Sequence, residues 1–418
     1  MAQQPGRALC PWRHPQGRSR PRHLLSAPQG QRRIPHLGRR RADRTGTGPA
    51  GGDCGVGVMQ EQAPDREPAA IQAAAQRGDA DAQLRLGIMH LEGEGVALDL
   101  GEAAHWFRQA ADQGNAGAQV LLGLMYCGGH GVAQDQEQGA QWCHKAAEQG
   151  NARAQTLVGT MYVKGRGVRR DYAQAASWFG KAAQQGDANA QYNLGLMYET
   201  GLGVCQDDAL ALDWYRKAAQ QGHANAQYHL GVMYDTGQGV RQDVAQAAEW
   251  YVKAAQQGHA KAQYNLGVMY ATGQGVCQDA AQALQWYRKA AQQGHAKAQY
   301  NLGLMYGDGW GVCQDDARAA KWYRKAALQG VAQAQYNLGV AYDRGQGVRK
   351  HATRALEWYL KAARQGEARA QYNLGVMYEI GRGVKQNTAT AKDWYRQACD
   401  NGLQEGCEEY ARLNKAGF

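Results

Sequence analysis

The sequence predicts an all-α protein, a solenoid of stacked helix–turn–helix units, and three observations carry that reading. One residue pattern returns every 36 positions, beginning at Ala82, Ala118, Ala154, Ala190, Ala226, Ala262, Ala298, Ala334 and Ala370. Nine such units fill residues 82–405 without an insertion, and so rigid a period marks an architecture in which each unit packs on its neighbours. Inside each unit, apolar residues recur at helical spacing in two blocks parted by a glycine-rich turn.

Residues 190–225 serve as the type unit. The first helix is expected over 190–200. Ala190, Leu194 and Tyr198 fall at i, i+4 and i+8 on one stripe, while Tyr192 and Leu196 lie on the opposite side. Two apolar faces suit a helix of the inner layer. Gly195 sits mid-helix, where glycine costs about 1 kcal/mol against alanine. Its column is glycine in all nine units, which predicts a helix contact too close for a side chain.

The turn Gly201-Leu202-Gly203-Val204 closes this helix, since glycine suits the left-handed residue at a helix end. Asp207 is the expected N-cap of the second helix, its side chain accepting from free first-turn amides. Seven units carry Asp in this column; the last two carry His351, a weaker cap, and Asn387. The second helix is expected over 208–221, with Ala211, Trp214, Tyr215, Ala218 and Ala219 forming a broad apolar face. Trp fills its column in every unit, from Trp106 to Trp394, and each indole can bury roughly 150–250 Å². Gly222 then ends the unit.

The flanks read as caps. Residues 67–81 match the second helix of a missing unit, with Ile71 in the Trp column, and complete an expected capping half-repeat over 59–81. Residues 406–418 match a first helix. Glu408, Glu409, Arg412 and Lys415 wet its surface, as a terminal unit requires when nothing stacks beyond it.

The repeated text is Ala-Gln-x-x-Leu-Gly-x-Met-Tyr-x-x-Gly-x-Gly-Val-x-x-Asp, then Trp-Tyr-x-Lys-Ala-Ala-x-Gln-Gly. Across residues 67–418 it resembles the Sel1-like repeat family, a relative of the tetratricopeptide repeats. The period favours that family over the 34-residue tetratricopeptide unit. The resemblance implies a right-handed α-solenoid, or superhelix, with a concave surface, and adaptor or scaffold roles in protein complexes. It names no partner.

The formal net charge of +10 on 418 residues is local. Residues 1–60 hold eleven Arg, no Lys, and only Asp43 and Asp53, a net +9 that leaves +1 for the rest. The repeats thus have no global basic field to draw them to nucleic acid. No apolar run reaches the ~18 residues of a membrane span. No basic-then-apolar leader opens the chain, which sets the expectation of a cytoplasmic protein, with periplasm or secretion as the alternative.

Residues 1–58 are rich in Arg, Pro, Gly and Gln and match no repeat. Disorder is expected, because little apolar surface offsets chain entropy. Three readings compete: a basic arm for nucleic acid or an anionic surface, an Arg-rich targeting segment, or translated sequence upstream of a true start at Met59. The last is favoured, because the first 50 residues lack Lys, Asn, Tyr and Phe, as GC-rich sequence would.

No catalytic constellation is visible, and no enzyme, cofactor or metal is expected. The Gly-x-Gly-Val turns lack the strand before a dinucleotide site and the Lys-Ser/Thr after a P-loop. Cysteine-rich relatives of the resembled family are linked to β-lactams, which implies an alternative: an exported β-lactam-binding or hydrolysing protein. Serine chemistry of that kind needs Ser-x-x-Lys, and Ser19, Ser26 and Ser177 begin no such motif. His223, His259 and His295 share a turn column one unit apart, too distant to share an ion, and are expected to be solvated turn residues.

Among nine Cys, Cys205, Cys277 and Cys313 follow the loop Val and are expected free; Cys10, Cys54, Cys127 and Cys143 share no pattern. Cys399 and Cys407 flank the last turn with seven residues between them. That spacing is similar to the bridging pair of cysteine-rich Sel1-like proteins, so the resemblance implies a disulfide and an oxidising compartment.

The candidate binding stripe is Asn193, His229, Asn265, Asn301, Asn337 and Asn373, the fourth position of each first helix in the central units. The helical wheel places it between the two apolar faces, where solvent reaches. Asn amides both donate and accept, and so can read an extended peptide backbone; they can equally serve the groove itself. The expected function is a protein- or peptide-binding adaptor.

Overall fold

The computed structural model describes residues 68–417. Among them are twenty helices and no strand, arranged as nine helix pairs between one leading and one closing helix. The type unit has its first helix at Ala188–Thr200 and its second at Asp208–Gln220. The first thus starts two residues before its apolar stripe, because Asp187 caps it by accepting from the Ala190 amide at 2.7 Å.

The second-helix caps act as their column predicts. Asp207 accepts from the Leu210 amide at 2.9 Å. Asn387 does the same at 3.0 Å, and His351 also caps, its Nδ1 accepting from the Arg354 amide at 3.3 Å. In the turn between the helices, Gly203 has φ 73°, and a Cβ there would overlap the Tyr172 carbonyl of the preceding unit. Glycine is required twice over, by the left-handed backbone and by the approach of the next layer.

The mid-helix glycine faces a ring. A Cβ on Gly195 would lie 2.8 Å from Cδ1 of Tyr215, which is wholly buried. The aromatic core is therefore built by the column after Trp: Phe107, Phe179, Tyr215, Tyr251, Tyr359 and Tyr395 are at most 1% exposed. The Trp column that sequence singled out lies nearer the rim and is mostly half-buried, Trp178 being buried. Seven of its nine indoles are covered by the lysine one turn on, as where Lys217 Nζ stands 4.0 Å from the Trp214 ring centroid.

A second buried column is polar. Gln83, Gln119, Gln155, Gln191, Gln227, Gln263, Gln299, Gln335 and Gln371 are 3–5% exposed. Gln191 donates to the Ala183 carbonyl on the previous unit's second helix at 3.1 Å, and accepts from Gln221 of its own unit at 2.8 Å. Eight other units repeat this stitch, with Asn401 replacing the outer Gln in the last. Each amide ties one unit to the one before while its own polar atoms stay paired.

At the ends, the helix Pro68–Gln76 lays Ile71 and Ala75 on Ala82 and Leu86. The closing helix, Gln404–Lys415, buries Leu413 beside Ala391 and Tyr395. Cys399 and Cys407 are disulfide-bonded, joining the last pair to this helix. The expectations for residues 1–58, and for 59–67 of the leading half-repeat, lie outside the described residues.

Candidate functional site

Asn193, His229, Asn265, Asn337 and Asn373 are half-buried, and Asn301 is 9% exposed. The column sits where one unit's first helix meets the preceding second helix. There its amides lie toward tyrosine hydroxyls, Asn265 toward Tyr251, Asn301 toward Tyr264 and Tyr287, Asn337 toward Tyr323, and Asn373 toward Tyr336 and Tyr359, and they partly offset the upward push that burial gives those phenols. The stripe is thus less open than the helical wheel suggests, since its side chains are half-buried and Asn301 is buried. The Oδ1 of Asn301 is buried without a partner.

His229 replaces Asn in the stripe and changes the local chemistry. Tyr215 donates to Glu199 at 2.5 Å, the His229 Nδ1 lies 3.3 Å from the same carboxylate, and the Tyr192 hydroxyl is 3.4 Å from His229 Nε2. Burial pushes the Glu199 carboxyl up, but His229 and the Tyr215 hydroxyl outweigh it and hold the group below its ordinary range. Burial, together with the charge of Glu199, pushes Tyr192 up to about 12, so its phenol stays neutral. Sequence reasoning missed Glu199 and its column mate Asp235, because the column is not uniform: Ala271 and Gly307 occupy it in the next two units.

The His column needs a correction. His223, His259 and His295 are half-buried N-caps rather than solvated turn residues, each Nδ1 accepting from a backbone amide at 3.2 Å. Their rings stack on Tyr192, Tyr228 and Tyr264 of the preceding unit, with centroids 4.6–4.7 Å apart. The signal was present in the sequence, since Asp79, Asn115, Asn151 and Asp187 hold the same column. Among the described residues, no three His, Cys, Asp or Glu stand close enough to hold a metal. No helix there is long and apolar enough to cross a membrane. Cys205, Cys277 and Cys313 are exposed free thiols, while burial pushes the Cys143 thiol up to about 12. Cys10 and Cys54 lie outside the described residues.

Helix pairs in fixed register, stitched by glutamine and presenting one polar column per unit, define a tandem-repeat scaffold. The chain belongs to the Sel1 repeat family, which matches nine back-to-back segments from 80–115 to 368–403. It is similar to the protective antigen c5321 of uropathogenic Escherichia coli, a solved structure with an SLR fold. The two are 35% identical over 84% of this chain and 83% of that one, with a TM-score of 0.58. A Sel1 repeat protein from Oxalobacter formigenes is 36% identical over 74% of this chain and 89% of that one, with a TM-score of 0.57. No curated protein matches the sequence significantly.

Proposed function

We propose that the protein is a non-catalytic adaptor that holds a protein or peptide partner along the concave side of its right-handed superhelix. The observation that carries this reading is the in-register polar column, which returns once per unit from Asn193 to Asn373 without an insertion to break it. Equivalent positions at a fixed spacing suit an extended chain, which also repeats. Tyr192, Tyr228 and Tyr264 flank the column with half-buried rings, and such rings add contact area at small entropic cost. Cofactors and metals have no part in this reading.

Each neutral hydrogen bond is worth about 0.5–1.5 kcal/mol, so one substitution is a weak test. Changing Asn265, Asn301 and Asn337 together to Ala should weaken a captured partner about tenfold or more. The check is a binding titration beside a thermal melt, which accounts for any loss of packing at those buried or half-buried positions. Unchanged affinity in a folded triple variant would remove the stripe from the binding surface.

A further inference from the structure

The geometry points to a second interaction surface, on the outer side of the seventh and eighth helix pairs, built for an acidic polypeptide segment that carries an apolar residue. It is separate from the concave stripe and stands whether or not that stripe binds.

The helix Asp316–Leu328 bears a hollow of about 410 Å³ lined by Arg318, Lys321, Trp322, Arg324, Lys325 and Leu328. Four cations ring an indole and a leucine that is 68% exposed. One unit on, a second hollow of about 650 Å³ is lined by Tyr342, Val348, Arg349, Lys350, His351 and Arg354. Neither lining contains a carboxylate. The turn carrying Arg349 and Lys350 packs on the start of the helix Asp316–Leu328, where a Cβ on Gly347 would overlap the Asp316 carbonyl, so both hollows are set on neighbouring layers of the stack. The motif is also repeated, with Arg318 over the Tyr306 ring and Arg354 over Tyr342.

Local charge separates this surface from the rest of the outer face. Arg318 is shared with Asp315 at 3.1 Å, but among the described residues no ion pair engages Lys321, Arg324 or Lys325. Elsewhere the same helix columns mix signs, with Asp213 beside Lys217 and Glu249 beside Lys253. Like charges whose only carboxylates on this helix, Asp315 and Asp316, stand at its start cost self-repulsion that an anionic partner removes. The apolar floor chooses among anions. Lys325 Nζ stands 4.0 Å over the Trp322 ring and occupies an indole face on which a nucleobase would otherwise stack. The edge of Trp322, Leu328 and the aliphatic stems of the cations suit a buried apolar side chain instead.

The test uses the full chain and a labelled peptide of alternating Asp and Glu around a central p-benzoylphenylalanine. Its comparators are the same peptide with Ser at the centre, one with Lys for its acids, and an oligothymidylate of equal charge. Binding is read by anisotropy, and the photocrosslink is mapped by mass spectrometry. Crosslinks should fall within 318–328. The charge reversals K321E, R324E and K325E together should weaken binding about tenfold. The reversals K181E, K217E and K253E, in the equivalent outer column, should change it less than about twofold. The Ser peptide should bind more weakly. Four results would overturn the assignment: crosslinks confined to residues 1–58 or to other units, equal losses from both triple variants, oligothymidylate binding as tightly as the peptide, or no peptide binding at low salt. Circular dichroism confirms that each variant is folded.

Discussion

Gly267 and Gln263, four positions apart on one first helix, hold the solenoid by opposite means. A Cβ on Gly267 would meet Cδ1 of Tyr287 at 2.6 Å, and that ring is 4% exposed with nowhere to turn. Gly267→Leu should destabilise by about 1–3 kcal/mol or more through overpacking, whereas Gln274→Leu, in the exposed turn, should cost little. Equal denaturation midpoints would refute the close contact. Gln263 donates to the Ala255 carbonyl at 3.0 Å and accepts from Gln293 at 2.8 Å. Gln263→Leu leaves those groups short of partners in a buried seam, at about 1–3 kcal/mol. A urea titration that finds it as stable as wild type would mean that water replaces the stitch. The glycine column announces itself in the sequence as an unfavourable mid-helix choice. The glutamine column does not, because an isolated Gln fits equally well on a solvated helix surface.

At the scale of the helix, capping chemistry gives three central units a pH dependence. His223, His259 and His295 cap through Nδ1, which can accept only while the ring is neutral. Burial lowers all three below the ordinary value of 6.5, His259 to about 4. The unfolded chain therefore takes up protons that the folded chain refuses. These caps should contribute fully above about pH 6.5 and lose their contribution as pH falls toward 4. Replacing all three with Asn, the cap used at Asn115 and Asn151, should flatten that part of the profile. Melting temperatures from pH 7 to pH 4.5 decide it: identical slopes for variant and wild type would sink the idea.

At the scale of the molecule, stability is a sum over neighbours. Buried clusters follow one another along the stack, each drawing on adjacent units, from Ala75 with Leu86 at one end to Tyr395 with Leu413 at the other. The leading helix Pro68–Gln76 and the closing helix Gln404–Lys415 cover the two ends of the stack. We therefore expect residues 59–418 to fold without residues 1–58, and circular dichroism and thermal melts of the two chains should agree. A large loss of helicity on truncation would show that the basic segment belongs to the fold.

The sequence by itself determined the repeat, the fold class, the helix pairing and the second-helix caps. Each rests on local rules of periodicity, capping and glycine conformation, and nine copies average away the ambiguity of one. What the tertiary structure decided is which side chains share a space. It put the tyrosine column rather than the tryptophan column at the centre of the core, made the histidines caps, and gave the glutamines their partners in the adjoining unit. It also set Asn265, Asn301, Asn337 and Asn373 beside tyrosine phenols and packed the turn at Gly347 on the start of the helix Asp316–Leu328. Such pairings join residues about a unit apart, and their geometry depends on how one helix pair settles on the next.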